Sequence, residues 1–450
     1  MPNFAEYFEN LQEIQYDGAR LSGASLDSRK VETGNIFFAC KGKDNDGNCF
    51  AQSALDNGAG IVIMDNPKLY RAVSGNKALV DDSLRAALSM GAKKLAVAKA
   101  LKIAVTGSYG KTGVKDMLKL VLSKRYKTFA TKGNNNNMLG VSLTACGMDD
   151  DTEVAVFEIG SNSTGEISAL SAAITPQIAV ITGLGYAHIG KFGSLAEIAR
   201  EKLSITDGLS GTGVMVINEV FKEGLARKNI EISNRSITFG RTNSADIRLL
   251  DCTIIGKSLT FTVLTTDGEY SCALNYCYPH VAENFLAVVG VGRLLAIPYE
   301  TMVDSLKEYK LHSGRGDIIE AGDITIIDDC YNASLESVER AIDGLNLINV
   351  SPKYALIGEI GEIDGHEDFV YGRLMIKTKE YPNINFIFSG DSYLKYPETI
   401  NVNIASGENG IEEQLNRLSK GVVLIKASRK YGFEKYRDLL LKRRGGTGAL

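Results

Sequence analysis

The chain has 450 residues, 44% of them hydrophobic and 23% charged, with a formal net charge of −4. That length exceeds what one hydrophobic core supports, so two or three domains are expected. Ordinary composition and slight acidity argue against a general nucleic-acid binder, although a local basic pocket needs no basic chain. The opening "MPNFAEYFENLQEIQYDGAR" is acidic and lacks the apolar core of a signal peptide. No run approaches the roughly 18 apolar residues of a membrane span, which predicts a cytoplasmic protein without membrane partners. The seven cysteines form no CxxC pair and read as thiols of a reducing compartment. Cys272, Cys277 and His280 imitate part of a metal cluster, but no fourth ligand stands at zinc spacing.

Three regions differ in texture. Residues 1–85 carry the short strands "NIFFAC" and "GIVIMD", with a helix in "NCFAQSALDNGAG" that ends on Gly58 and Gly60. Residues 86–310 alternate strand and helix, with "KIAV", "VAVFE", "IAVIT" and "GVMVIN" as buried strands. Near-continuous apolar runs of this kind imply a parallel sheet covered on both faces. A β-rich insert follows near 236–266. Residues 311–450 begin at the polar break "LHSGRGD" and resume the alternation with "ITIID", "YALIG", "NFIFSG" and "VVLIK". This predicts a smaller doubly wound domain with ligands at the carboxyl ends of its strands.

Within the second region, Gly107, Ser108, Tyr109, Gly110, Lys111 and Thr112 follow a strand and open a helix. Glycines let backbone N–H groups approach phosphate oxygens, and the helix N-terminus favours an anion. Lys111 would reach the terminal phosphates and Thr112 Oγ1 would take Mg²⁺. Val105 stands where the full phosphate-loop pattern has glycine, so the loop is a shorter variant. The alternative is a glycine-rich turn with a chance Gly-Lys-Thr. The helix should bury Val114, Met117, Leu118, Val121 and Leu122 on one face.

Glu158 ends the strand "VAVFE", where a carboxylate near a phosphate loop suits Mg²⁺. The run "GNNNNMLGV" serves either as a turn or as a polar lining for substrate. Ser194 and Glu197 form a capping box that starts a helix at Leu195. Its stripe Leu195, Ile198, Lys202 and Ile205 places a lysine on the core-facing side. Such a lysine either snorkels to water or has a depressed pKa, reacts with CO₂ and offers its carbamate to a metal. His188, one of four histidines, would suit as a second metal ligand.

Together these residues resemble the Mur ligases, ATP-dependent amide-forming enzymes of peptidoglycan synthesis, over essentially the whole chain. The resemblance is strongest to the branch that joins D-alanyl-D-alanine to UDP-N-acetylmuramoyl-tripeptide. It implies an α/β fold of three domains: a UDP-binding domain at 1–85, a central phosphate-loop ATPase domain at 86–310 and a C-terminal Rossmann-like ligase domain at 311–450. "SLDSRKVETGNIFFACKGKD" would then set Ser28 and Arg29 near the uridine nucleotide. "TGSYGKT" would be the ATP loop, with Gly113 after the threonine as in some members. Asn136, Asn137 and Asn162 would line the substrate. Glu158 would hold Mg²⁺, and His188 with a carbamylated Lys202 a second Mg²⁺. Asn284 in "HVAENFLAVVGV" would meet the adenine, Arg315 in "GRGD" a phosphate, and Asp329 in "IIDDCYNAS" the ribose. Tyr331 and Asn332 would line the nucleotide.

The chain departs from the family's pattern at Ser334 and Leu335, at "GEIGEID" over 358–364, and at Ala427. All lie in the C-terminal region, which by resemblance receives the incoming amino compound. The expected partners are therefore the UDP-muramoyl tripeptide and the dipeptide, for a monomeric enzyme. The remaining alternatives are another amide ligase of the superfamily, adding an amino acid or glutamate, and a phosphate-loop ATPase switch. The switch would need a hydrophobic strand ending in Asp.

Overall fold

A computed structural model describes residues 4–227, 230, 232–255, 258–274, 278–311 and 313–444. It is a mixed α/β chain whose residues divide into two compact units. The first comprises 4–106, 122–180 and 203–215; the second comprises 107–121, 181–202 and 216–444.

The first unit contains β1 (Leu11–Gln15), β2 (Ala24–Ser25), β3 (Ile36–Phe38), β4 (Ile61–Met64) and β5 (Lys77–Val80), ordered β1-β5-β4-β3-β2. β2 to β5 run parallel, and β1 closes the edge antiparallel to β5. β3 and β4 are buried at every position, which is why they read as unbroken apolar runs. Between them the helix Ala51–Asp56 ends before Gly58, whose φ of +102° suits glycine at a helix C-terminus. The unit continues with β6 (Leu101–Thr106), β7 (Thr128–Ala130), β8 (Val154–Glu158) and β9 (Ile178–Ile181), in the order β9-β6-β8-β7. The helices Ser83–Val97 and Met138–Cys146 pack so closely that a Cβ on Gly91 would lie 2.5 Å from Ser142.

After β10 (Val214–Asn218), the second unit contains β11 (Ser236–Gly240), β12 (Ile247–Ile255), β13 (Ser258–Thr265) and β14 (Gly268–Leu274). β12, β13 and β14 form an antiparallel meander, so the β-rich insert runs on to Leu274 rather than stopping near 266. β13 alternates half-buried and buried residues along its length, the pattern of a sheet with one face on the core.

A further sheet comprises β15 (Asp317–Ala321), β16 (Ile324–Asp328), β17 (Lys353–Ile357), β18 (Ile384–Ser389), β19 (Val402–Ala405) and β20 (Gly421–Lys426). Its order is β15-β16-β20-β17-β18-β19, parallel except for β15. Ile326, Leu356, Val423 and Ile425 form its core with Phe433 and Leu440 from the C-terminal segment. The carboxyl ends of β16, β17 and β20 come together, as the alternating pattern predicts for a doubly wound sheet.

Candidate active site

The phosphate loop forms as the sequence predicts. It leaves β6, and the helix Lys111–Leu122 starts at the lysine. Val114, Met117, Leu118, Val121 and Leu122 are wholly buried, so the apolar face anchors the helix behind the loop. Gly107 and Gly110 have φ of +146° and +79°, a backbone that side chains rarely tolerate. Lys111 Nζ donates to the Gly107 carbonyl at 2.6 Å, bending back over the loop. Ser108 N donates to the Gly183 carbonyl at 2.9 Å, and Ser108 Oγ to that of Gly185 at 3.0 Å. Thr112 is buried in the first turn of the helix.

Asn284 lies directly against the loop. A Cβ on Gly110 would stand 2.6 Å from its Oδ1, and a Cβ on Gly113 2.7 Å from its Nδ2. Gly113 is therefore the residue that lets Asn284 approach this first turn.

His188 follows β9 with a left-handed φ of 62°, at the start of the short helix Ile189–Phe192. Its Nδ1 lies 2.5 Å from Glu362 Oε2, off the line of a hydrogen bond, and Lys191 Nζ stands 2.5 Å from Oε1. Glu362 also has a left-handed φ, 60°, and its carbonyl accepts from Gly190 N at 3.0 Å. Two strained non-glycine residues thus face each other, the kind of backbone found where a site is held in a fixed shape. Burial lowers the His188 pKa, and the charges of Lys111, Lys202 and Lys191 act the same way against the opposing pull of Glu362. The imidazole is accordingly neutral near pH 7, the form that ligates a metal.

Lys202 is on the helix Leu195–Leu203, which starts where predicted. Ser194 Oγ accepts from Glu197 N at 3.2 Å, but the Glu197 side chain pairs with Arg200 instead of returning to the cap, so one half of the capping box is formed. Ile198, Lys202 and Ile205 are all buried, so the lysine does not snorkel. Its Nζ lies 5.9 Å from the centre of the Phe192 ring.

At the carboxyl ends of the C-terminal sheet, Arg315 sits between Gly314 and Gly316, both left-handed, with its guanidinium 4.2 Å over the Tyr331 ring. Tyr331 N donates to the Gly314 carbonyl at 2.8 Å, which joins the two segments. Asp329 Oδ2 accepts from Lys426 Nζ at 2.7 Å, and the same ammonium donates to the Asn332 carbonyl at 3.1 Å. The Asn332 side chain accepts from Arg429 N at 3.4 Å.

In the first unit, Glu158 is buried at the end of β8. Its Oε1 accepts from Asn136 Nδ2 at 2.9 Å, whereas Oε2 is buried without a hydrogen-bond partner. An unpaired buried carboxylate oxygen is costly and suits a cation ligand. Asn137 accepts from Gly140 N at 2.8 Å and caps the helix Met138–Cys146. The asparagine run therefore divides its labour between capping and holding Glu158. Asn162 is exposed, and its backbone N donates to Glu166 at 2.7 Å. Ser28 is buried in a short 3₁₀ turn, while the Arg29 side chain is 85% exposed and pairs with Asp27 at 2.9 Å.

Among the described residues no group of three His, Cys, Asp or Glu side chains is arranged to hold a metal, and six free cysteines occur. Cys272 is buried, which pushes its thiol up to about 12, and Cys277 lies outside the described residues. His280 packs edge-on to Tyr278 at 4.7 Å, and its pKa is lowered to about 3 by burial first and then by Lys426, Arg340 and Arg315.

Residues 105–292 match the Mur ligase middle domain, and residues 20–109 match the domain described as Mur ligase family, catalytic domain. The chain is 30% identical over 441 residues to the UDP-N-acetylmuramoyl-tripeptide–D-alanyl-D-alanine ligase of Rickettsia prowazekii, covering 95% of each. It is 32% identical over 373 residues to the Bacillus subtilis ligase of the same name, covering 81% of this chain and 79% of that one. The chain belongs to the Mur ligase family. Among solved Mur ligases, MurF from Thermotoga maritima in complex with ADP superposes with a TM-score of 0.78 at 25% identity, covering 94% of this chain and 98% of that one. MurF from Acinetobacter baumannii gives 0.78 at 26% identity, covering 93% of each.

Several residues of this candidate site escape a reading of the sequence. Arg340, Glu336 and Lys426 reach the site only through long-range packing. Glu362 carries a signal, since it lies in the stretch "GEIGEID" that departs from the family's pattern.

Proposed function

We infer that the protein is an ATP-dependent ligase joining D-alanyl-D-alanine to UDP-N-acetylmuramoyl-tripeptide, with ADP and phosphate as co-products. The observation that carries this is a phosphate loop sharing one compact unit with the neutral His188, the buried Lys202 and the Arg315–Asp329–Tyr331 cluster. The near full-length likeness to ligases of that name supplies the substrates. The reading comprises three domains at 1–85, 86–310 and 311–450, and a cytoplasmic monomer. No described helix is long and apolar enough to cross a membrane.

The chemistry needs activation because a carboxylate is a poor electrophile. Its oxygen attacks the γ-phosphorus of ATP, ADP leaves, and an acyl phosphate forms. The dipeptide amine then adds to the acyl carbon, loses a proton, and phosphate departs with the C–O bond. Lys111 and Arg315 would neutralise phosphate charge, while the loop amides and Asn284 fix the geometry. Glu158, with an Oε2 buried without a hydrogen-bond partner, would suit a hard cation, as separately would the Thr112 hydroxyl; His188 and a carbamylated Lys202 would suit a second. Mg²⁺, when bound, supplies charge neutralisation on the phosphates. Asp329 would take the ribose. Ser28 and Arg29 would approach the UDP moiety.

A phosphate-release assay with each substrate omitted in turn tests the reading. Release is expected only with ATP, the UDP-muramoyl tripeptide and the dipeptide together, and Lys111→Ala is expected to abolish it. Release that ignores either peptide substrate would favour the ATPase switch. Substantial turnover by the Lys111 variant would remove the loop assignment.

A further inference from the structure

Tyr109 stands inside the phosphate loop, and its side chain packs against Gly183 and Arg340. Its ring lies so close to Gly183 that a Cβ there would fall 2.3 Å from it. Its hydroxyl accepts a hydrogen bond from Arg340 Nη2 at 2.9 Å, and the same guanidinium sits 4.1 Å above its ring centre. Arg340 is held from behind by Glu283, which also pairs with Arg241 at 3.1 Å. Glu283 immediately precedes Asn284, the residue wedged against Gly110 and Gly113.

Arg340 belongs to the helix Leu335–Leu347, which begins three residues after Asn332. One turn earlier on the same face, Glu336 accepts from Tyr186 N through both oxygens, at 2.9 and 3.0 Å. A Cβ on Gly185 would stand 2.4 Å from that carboxylate. Two successive turns of the helix are thus tied to the phosphate loop and to the segment after β9. The chain leading into the helix is the stretch Asp329–Asn332.

We propose that Tyr109 and Arg340 form a latch that fixes the phosphate loop in register with Asp329–Asn332, so that the phosphate and ribose ends of one nucleotide are gripped together. Both are positioning residues. The proposal rests on the nucleotide-site reading above. The phenol supplies a flat face for the cation and an acceptor for one of its N–H groups. Serine or alanine at this position would keep the loop's backbone but supply no ring for the stack.

The test is a double-mutant cycle on ADP affinity by isothermal titration calorimetry, using Tyr109→Phe, which keeps the ring, and Arg340→Met, which keeps the stem. Tyr109→Phe is expected to weaken ADP binding about fivefold in the wild-type background and to change nothing in the Arg340→Met background. In turnover, the KM for ATP should rise while kcat stays within about twofold. Melting temperature is followed alongside, so that a folding defect is recognised; Tyr109→Ser provides a second variant should Arg340→Met unfold, with a larger loss of ADP affinity expected. Unchanged ADP affinity in Tyr109→Phe, or equal weakening in both backgrounds, would overturn the latch. Failure of the wild type to bind ADP would overturn the nucleotide-site reading and the latch with it.

Discussion

At the scale of single residues, the site depends on backbone shapes that only certain side chains permit. Gly107 combines a φ of +146° with a Cβ position 2.1 Å from Thr182 Oγ1. Gly107→Ala is therefore expected to destabilise the fold by about 1–3 kcal/mol, read as a lower denaturant midpoint, and to weaken nucleotide binding. An unshifted midpoint would mean that the loop relaxes freely. Lys202 makes the opposite demand, because a buried ammonium needs either partners or removal of its charge. Lys202→Ala should lose at least about a hundredfold in activity, which short-chain carboxylates partly restore and bicarbonate does not. Full activity without any added carboxylate would remove the carbamate. As candidates, Lys111, Thr112 and Glu158 are legible because they open a helix or end a strand, Lys202 because it falls on a core-facing stripe, and His188 because histidines are few. Arg340 and Glu336 are not, since nothing near them in sequence reveals which distant loop they meet. Tyr109 is named with the loop in the sequence, but its partner Arg340 lies 231 positions away.

At the scale of elements, the strands were the most legible part, since β3, β4, β8 and β20 are buried along their whole length and read as apolar runs. The meander β12–β14 was underestimated because its exposed edges carry polar residues that blur the pattern. The junction before the helix His280–Leu294 carries a pH signature of its own. His280 retains some surface, but its ring faces Tyr278 and the charges of Lys426, Arg340 and Arg315. Its folded pKa of about 3 lies below the ordinary 6.5, so the native state holds fewer protons than the unfolded chain between these values. The stabilisation is present above about pH 6.5 and is lost as pH falls toward 3. Between pH 7 and pH 5 the loss should amount to about 1–2 kcal/mol, allowing for the partial exposure. Urea unfolding at both pH values should show a smaller acid loss for His280→Gln. Equal losses in the two proteins would assign the acid sensitivity to other groups.

At the scale of the whole molecule, the residues assigned to the two nucleotides are unevenly distributed. Gly107 to Gly113, Asn284, Arg315 and Asp329 to Asn332 belong to the second unit, whereas Ser28 and Arg29 belong to the first. Each unit has its own buried cluster, the first around Ile36, Ile61 and Ile63 and the second including Ile326, Val423 and Ile425. Local opening in such a chain is governed by the contacts nearest each segment, so a ligand protects first the backbone it touches. Hydrogen exchange read by mass spectrometry should therefore separate the two ligands. ADP with Mg²⁺ should slow exchange in peptides covering 107–113 and 314–332 while leaving 24–31 unchanged. The UDP-muramoyl tripeptide added alone should do the reverse around Ser28 and Arg29. The tight turn of Gly314 and Gly316 against Tyr331 gives the ADP arm a sensitive reporter, since its amides are already ordered by short backbone hydrogen bonds. Protection of 24–31 by ADP alone, as strong as that of the phosphate loop, would contradict the assignment of Ser28 and Arg29 to the uridine nucleotide. It would leave the assignment of Lys111 and Asn284 to ATP intact.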